Sequence, residues 1–166
     1  MRSVFIALLI VVTASARAAE LPSKFRLADV VITLNDSPRW PVGEQVVITI
    51  SGNSTATIDR TKLPCTECRA VREAATVPRA TILRLLNDVL STDFFTMQRS
   101  YEARPEFFLH ENDEIELGSV ITTDQDYHAI TITIGSLSKK VEDVADASPD
   151  GFKKLAAAIR RSVGIK

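Results

Sequence analysis

The chain has 166 residues, with 20 Lys and Arg against 21 Asp and Glu for a net charge of −1, and two cysteines. That balance lacks the basic bias of a nucleic-acid binder. Two cysteines are too few for a disulfide scaffold.

Arg2 precedes an apolar run over 4–12, and small residues gather at Ala14, Ser15, Ala16, Ala18 and Ala19. This is the layout of a secretory signal peptide. A spanning helix needs about 20 apolar residues, whereas uncharged sequence lasts only from Ser3 to Ala16, and no cysteine stands nearby to carry a lipid. Cleavage is expected after Ala18, with Ala16-Arg17-Ala18 as the recognition triplet, giving a soluble periplasmic or secreted product that begins at Ala19; an uncleaved anchor is the alternative. Residues 1–18 take Arg2 and Arg17 with them, which leaves 18 basic against 21 acidic residues, net −3. Residues 19–166 suit a single domain, which at that size buries roughly 70% of its unfolded surface. There is no internal repeat, low-complexity tract or interdomain linker.

The first strand is expected over 29–34, where Val30, Ile32 and Leu34 alternate with their neighbours. A turn-rich stretch with Asn35, Asp36, Pro38, Pro41 and Gly43 follows, then a second strand on Val46, Ile48 and Ile50. Gly52-Asn53 reads as a tight turn with positive φ at the glycine, and 54–59 as the return strand. Residues 69–77 fit a strand through Val71, Ala75 and Val77, although Arg72 to Ala75 would also suit a helix. Pro78 can open a helix whose core stripe is Ile82, Leu85, Leu86, Val89 and Leu90, and Phe94-Phe95 should turn back onto that core. Residues 96–127 show no sustained period and read as a long acidic loop with a short strand at 118–122. Alternation returns over 128–134, where Ile130, Ile132 and Ile134 face one way and Ala129, Thr131 and Thr133 the other. After the Gly135-Ser136 turn, 140–144 is the partner strand. Ser148-Pro149-Asp150 then starts a helix, as cap, first-turn proline and dipole-compatible acid. Phe152, Leu155, Ala156, Ile159 and Val163 form its buried stripe, with Lys153, Lys154, Arg160 and Arg161 outside.

Hairpins and helices in this order predict an α+β fold, an antiparallel sheet of about five or six strands with two helices packed on one face. The threonine-bearing face is left partly solvated, either simply wet or a docking surface.

Ile32-Thr33-Leu34, Ser37-Pro38, the 46–50 strand, the Gly52 turn and Thr55-Ala56-Thr57-Ile58 resemble the opening of an exported bacterial family known as domain of unknown function 6438. Ile82-Leu83-Arg84-Leu85-Leu86, Asp93-Phe94-Phe95, the 128–144 hairpin and the Pro149 helix fall where that family has similar elements, so the resemblance covers residues 30–163. The family typically follows its first strand with Thr-Pro-Cys and a second cysteine, whereas here Ser37-Pro38 leads into Arg39 and Gly43. The resemblance implies a fold and no activity, and the role of that cysteine pair does not carry over.

The chemistry-bearing motifs are few. The chain has no Gly-x-Ser-x-Gly elbow, phosphate-cradling glycine loop, His-Glu-x-x-His or dinucleotide fingerprint. Cys65-Thr66-Glu67-Cys68 can be a thiol-disulfide exchange site, with Arg60, Lys62, Arg69 and Arg72 as cations to lower a thiol pKa. It lacks the βαβ surroundings of such a site and supplies only two of four zinc ligands, so a local disulfide between Cys65 and Cys68 is expected. Between Arg104 and Lys139 no basic residue occurs, while Glu106, Glu111, Asp113, Glu114, Glu116, Asp124 and Asp126 accumulate beside both histidines. His110, Glu111, Asp113, Asp126 and His128 are the weak candidates for a cation site. The spacing lacks the glycine and distal bidentate acid of a calcium-hand loop, so no metal is predicted and a solvated loop is the plainer reading.

The expectation is therefore an exported, non-catalytic domain with no cofactor. It would bind a partner, another exported or envelope protein, through the acidic loop or the exposed sheet face. The rival is an enzyme, either a thiol oxidoreductase at Cys65 and Cys68 or a metal-assisted hydrolase on the acidic loop. Neither nucleic acid nor a membrane span after cleavage is expected.

Overall fold

The computed structural model describes residues 23–38, 42–65, 67–111, 113–120, 126–144 and 146–165. The expected signal segment and its cleavage point lie outside the described residues.

Alternating apolar residues build a seven-stranded sheet. In chain order its strands are β1 (Val30–Ser37), β2 (Gly43–Ser51), β3 (Thr55–Leu63), β4 (Val71–Thr76), β5 (Ser100–Tyr101), β8 (Tyr127–Ile134) and β9 (Leu137–Asp143). Their order in space is β4-β3-β2-β1-β8-β9-β5, antiparallel except for the parallel β5–β9 pair. Two further strands, β6 (Arg104–Leu109) and β7 (Ile115–Val120), form a separate antiparallel hairpin. The fold is α+β, with more strands than the five or six expected. β5 left no trace in the residue pattern because two residues cannot establish a period, and only its pairing of Ser100 with Glu142 and Tyr101 with Asp143 makes it a strand.

Strand side chains alternate between faces, and one face is dry. Val30, Ile32 and Leu34 of β1 join Ile48 and Ile50 of β2, Ala56 of β3, Ile130, Ile132 and Ile134 of β8 and Val141 of β9 in one buried cluster. The buried stripes of both helices complete it, Ile82, Leu85 and Val89 from α1 (Arg79–Ser91) and Phe152, Leu155, Ala156 and Ile159 from α2 (Asp150–Ser162). The other sheet face carries a row of threonines, Thr57, Thr49, Thr33 and Thr131, one on each of four neighbouring strands in direct register. All four are half-buried.

Several local expectations change. β1 runs on through Asn35 and Asp36, which had read as turn residues, because Asn35 pairs with Val47 and Ala129 and Asp36 with Val46 and His128. β3 likewise extends to Leu63, opposite Gly43. The β2–β3 turn is a three-residue loop in which Ser54, not Gly52, takes the positive φ (71°). Gly52 is demanded by close approach instead, since a Cβ there would lie 1.5 Å from the Leu27 carbonyl oxygen. The stripe of α1 is narrower than read. Leu90 is 55% exposed, one position round the helix from the buried Val89. Phe94 is buried and meets Phe95 edge to face at 5.8 Å, so this pair does return to the core.

At α2 the expected serine cap is not formed. Pro149 occupies the capping position without a side-chain bond, and the Ser148 hydroxyl instead donates to the Asp143 carboxylate. Asp143, 1% exposed at the end of β9, also accepts from the backbone N–H groups of Ala147 (2.9 Å) and Ser148 (3.3 Å). Without these donors a buried carboxylate would be costly; with them it ties the β9–α2 connection down.

Candidate functional site

The 96–127 stretch is no irregular loop over its described residues. Glu106 pairs with Gly118, Phe107 with Leu117, Phe108 with Glu116 and Leu109 with Ile115. Pro105, Phe107, Leu109, Ile115 and Leu117 therefore share one face, and Arg104, Glu106, Phe108, Glu116 and Gly118 the other. On the polar face Arg104 pairs with Glu106 (3.5 Å), and His110 Nε2 meets Glu116 Oε2 at 2.9 Å. The Phe108 ring lies over Gly118, where any Cβ would come within 2.7 Å of it. The apolar face meets solvent, with Phe107 and Leu109 each 72% exposed, Ile115 69% and Leu117 63%. Scattered exposed leucines need no explanation, but four large apolar side chains on one face of an exposed hairpin form a contiguous patch of the kind that marks interaction sites.

A second cluster lies where the sheet meets α2. Asp36 continues the inward series Val30, Ile32, Leu34 and stands beside His128 in register. Its Oδ1 accepts from His128 Nδ1 (2.8 Å) and Arg160 Nη2 (2.8 Å), and its Oδ2 from Arg160 Nε (2.7 Å). Burial pushes the Asp36 carboxyl up, but the hydrogen bonds from His128 and Arg160 and their charges outweigh it and hold it below the ordinary aspartate value. A carboxylate engaged three ways is a weak base and a firm anchor. An open cleft of about 550 Å³ beside Arg160, lined by Ala157, Arg160, Arg161, Gly164 and Ile165, brings no hydroxyl, thiol or carboxylate among the described residues.

The cysteines lie between β3 and β4, with their sulfurs at disulfide distance and Cα atoms 5.2 Å apart, inside the usual range for a bridge. Of the candidate cations, Arg72 is committed to Asp59 (2.7 and 3.0 Å) and Arg60 to Glu44 and Glu73.

The structure does not unite the weak cation-site candidates. His110 sits at the hairpin end with Glu116, His128 in the central sheet with Asp36, and Glu111, Asp113 and Asp126 are exposed. Among the described residues no three of His, Cys, Asp and Glu group as metal ligands. Asp124 lies outside the described residues. The sequence reading missed Asp36 and Arg160, one taken for a turn and the other for a solvated face of α2. It also missed the hairpin, although Phe107 and Leu109 before a polar stretch and Ile115 and Leu117 after it hold the alternation. Phe108 interrupts that pattern, and three or four residues per strand are too few to stand out.

The described residues thus form an α+β fold with an exposed amphipathic hairpin and a carboxylate clamp joining sheet to helix. No family model matches the chain, and no curated protein matches it. No described helix is long and apolar enough to cross a membrane.

Proposed function

We propose that the protein is an exported, non-catalytic domain that binds another exported or envelope protein through the apolar face of the β6–β7 hairpin. The observation that carries this reading is the exposure of Phe107, Leu109, Ile115 and Leu117 on one face. An isolated two-stranded hairpin is marginal in water. A partner lying on its apolar side would both remove that surface from water and supply the packing the hairpin lacks. Neither histidine has a hydroxyl or thiol hydrogen-bonded to it among the described residues, and both meet carboxylates, so nothing there resembles an activated nucleophile. The Arg2 to Ala19 layout supports export, and Ile32-Thr33-Leu34, the Gly52 turn, Asp93-Phe94-Phe95 and the Pro149 helix carry the resemblance to domain of unknown function 6438.

A photoreactive amino acid at position 107, and in a separate strain at position 133 on the outer sheet face, tests the reading in cells. Protein adducts are expected from 107 and not from 133. Adducts from 133 alone would transfer the docking role to the threonine face, and adducts from neither would reject partner binding through this domain.

A further inference from the structure

The chemistry of the partner follows from the charges around the apolar face, resting on the reading that the hairpin is the docking element. Between Arg104 and Val120 there are five carboxylates, Glu106, Glu111, Asp113, Glu114 and Glu116, against the single cation Arg104, a net charge of −4 with His110 neutral. Glu106 and Glu116 lie on the hairpin's polar side, and Glu111, Asp113 and Glu114 at its tip. The four exposed apolar side chains offer about 500 Å² of contiguous surface, near the upper end of what a monomer displays. That is roughly two thirds of the 800 Å² that one side of a standard interface needs. The remaining area has to come from the rim, and where the apolar face reaches the hairpin's tip that rim is acidic, with Glu111, Asp113 and Glu114 all exposed.

We infer that the hairpin docks against an apolar surface of a partner protein whose edges carry Lys and Arg. Interfaces pair a desolvated apolar centre with a rim of complementary potential, and the rim sets the rate and choice of partner more than the affinity. A second copy of this chain is the wrong occupant. A self-complementary contact brings the same patch from both subunits together, here two surfaces of net −4. An anionic bilayer is wrong for the same reason, since its surface attracts basic segments and repels acidic ones.

The test uses purified full-length mature protein and two synthetic amphipathic helical peptides with the same leucine stripe, one flanked by lysines and one by glutamates. Fluorescence anisotropy should show the lysine peptide binding at least about tenfold tighter than the glutamate peptide, the effect of a few rim-exposed charge pairs. That margin should shrink as salt rises through the range where the screening length falls below about 10 Å. Phe107→Ser with Leu117→Ser should abolish binding, and Glu111→Lys with Glu114→Lys at the tip should invert the peptide preference. All four positions are exposed, so an unchanged melting temperature verifies that each variant is folded.

Equal binding of both peptides that is still lost in Phe107→Ser with Leu117→Ser would overturn the charge inference and leave the hairpin reading standing. Binding of neither peptide, sedimentation as a dimer that dissociates in Phe107→Ser, or hairpin-dependent binding to phosphatidylglycerol vesicles would also overturn it. Peptide binding that survives the double serine change would reject the hairpin itself.

Discussion

Arg160 and Asp36 stand 124 positions apart in the chain and meet in a two-point ion pair, Nε to Oδ2 at 2.7 Å and Nη2 to Oδ1 at 2.8 Å. The pair fastens the C-terminal turns of α2 to the central strand of the sheet, with His128 closing the third side of the carboxylate. Both partners are mostly shielded, with the Asp36 side chain 18% and Arg160 26% exposed.

Removing the charge while keeping the shape tests the clamp. Asp36→Asn should cost about 2–3 kcal/mol at neutral pH, since it leaves Arg160 half-buried without its counterion. Arg160→Lys, which cannot reproduce the two-point geometry, should cost about 1 kcal/mol. The folded-state carboxyl of Asp36 titrates below its ordinary value. Its stabilising contribution is therefore complete above the ordinary aspartate pKa of about 4 and is lost as the pH falls below that through the folded value. Urea unfolding of wild type and Asp36→Asn should give curves that differ at neutral pH and converge in acid. A constant difference down to the lowest accessible pH would contradict the clamp.

The one-sided core predicts unequal costs along a single strand. Ile132 and Leu155 are fully buried, so Ile132→Ala and Leu155→Ala should each cost about 2–5 kcal/mol through lost burial and a residual cavity. Thr133, adjacent on β8 but on the opposite face and bonded to Ser138 (3.0 Å), should lose no more than about 0.5 kcal/mol on change to alanine. Equal losses by chemical denaturation would mean that both sheet faces are covered.

Two glycines should fail for different reasons. Gly52→Ala drives a methyl into the Leu27 carbonyl and forces backbone to move, at a cost of about 3 kcal/mol. Gly135→Ala meets no atom within 4 Å but must hold φ at 60°, so about 1 kcal/mol is expected. Thermal melts that rank Gly135→Ala as the worse of the two would argue against the close approach at Gly52.

The Cys65–Cys68 bridge closes so short a loop that the chain-entropy account allows it only about 2 kcal/mol. The Cys65→Ala, Cys68→Ala double variant should fold with the same circular dichroism and a lower melting temperature. Unreduced native protein should weigh two hydrogens less than the reduced form. Two free thiols, bound zinc or insulin reductase activity would move this loop from a structural to a chemical role.

Much of the strand and helix inventory was legible because its signals are local. Period two through Ile130, Ile132 and Ile134, and the 3.6-residue stripe of Phe152, Leu155 and Ile159, arise within a few neighbouring residues and hold whatever they pack against. The hairpin at the candidate site was illegible because its alternation lasts only a few residues on each side of a charged turn. It became visible once the ladder between Phe107 and Leu117 existed.

By itself, then, the sequence determined the alternating strands, the two amphipathic helices, the proximity of Cys65 and Cys68 and the acidity of the 106–126 stretch. Only the tertiary structure decided that Asp36 belongs to a strand, that Arg160 turns inward rather than to solvent, that the Ser148 hydroxyl serves Asp143 rather than a helix end, and that Phe107 and Leu117 share an uncovered face. The physical reason is that each depends on which other segment supplies the hydrogen-bond or packing partner, and for Asp36, Arg160 and Ser148 a shielded polar group takes the conformation that satisfies it, whatever its local propensity.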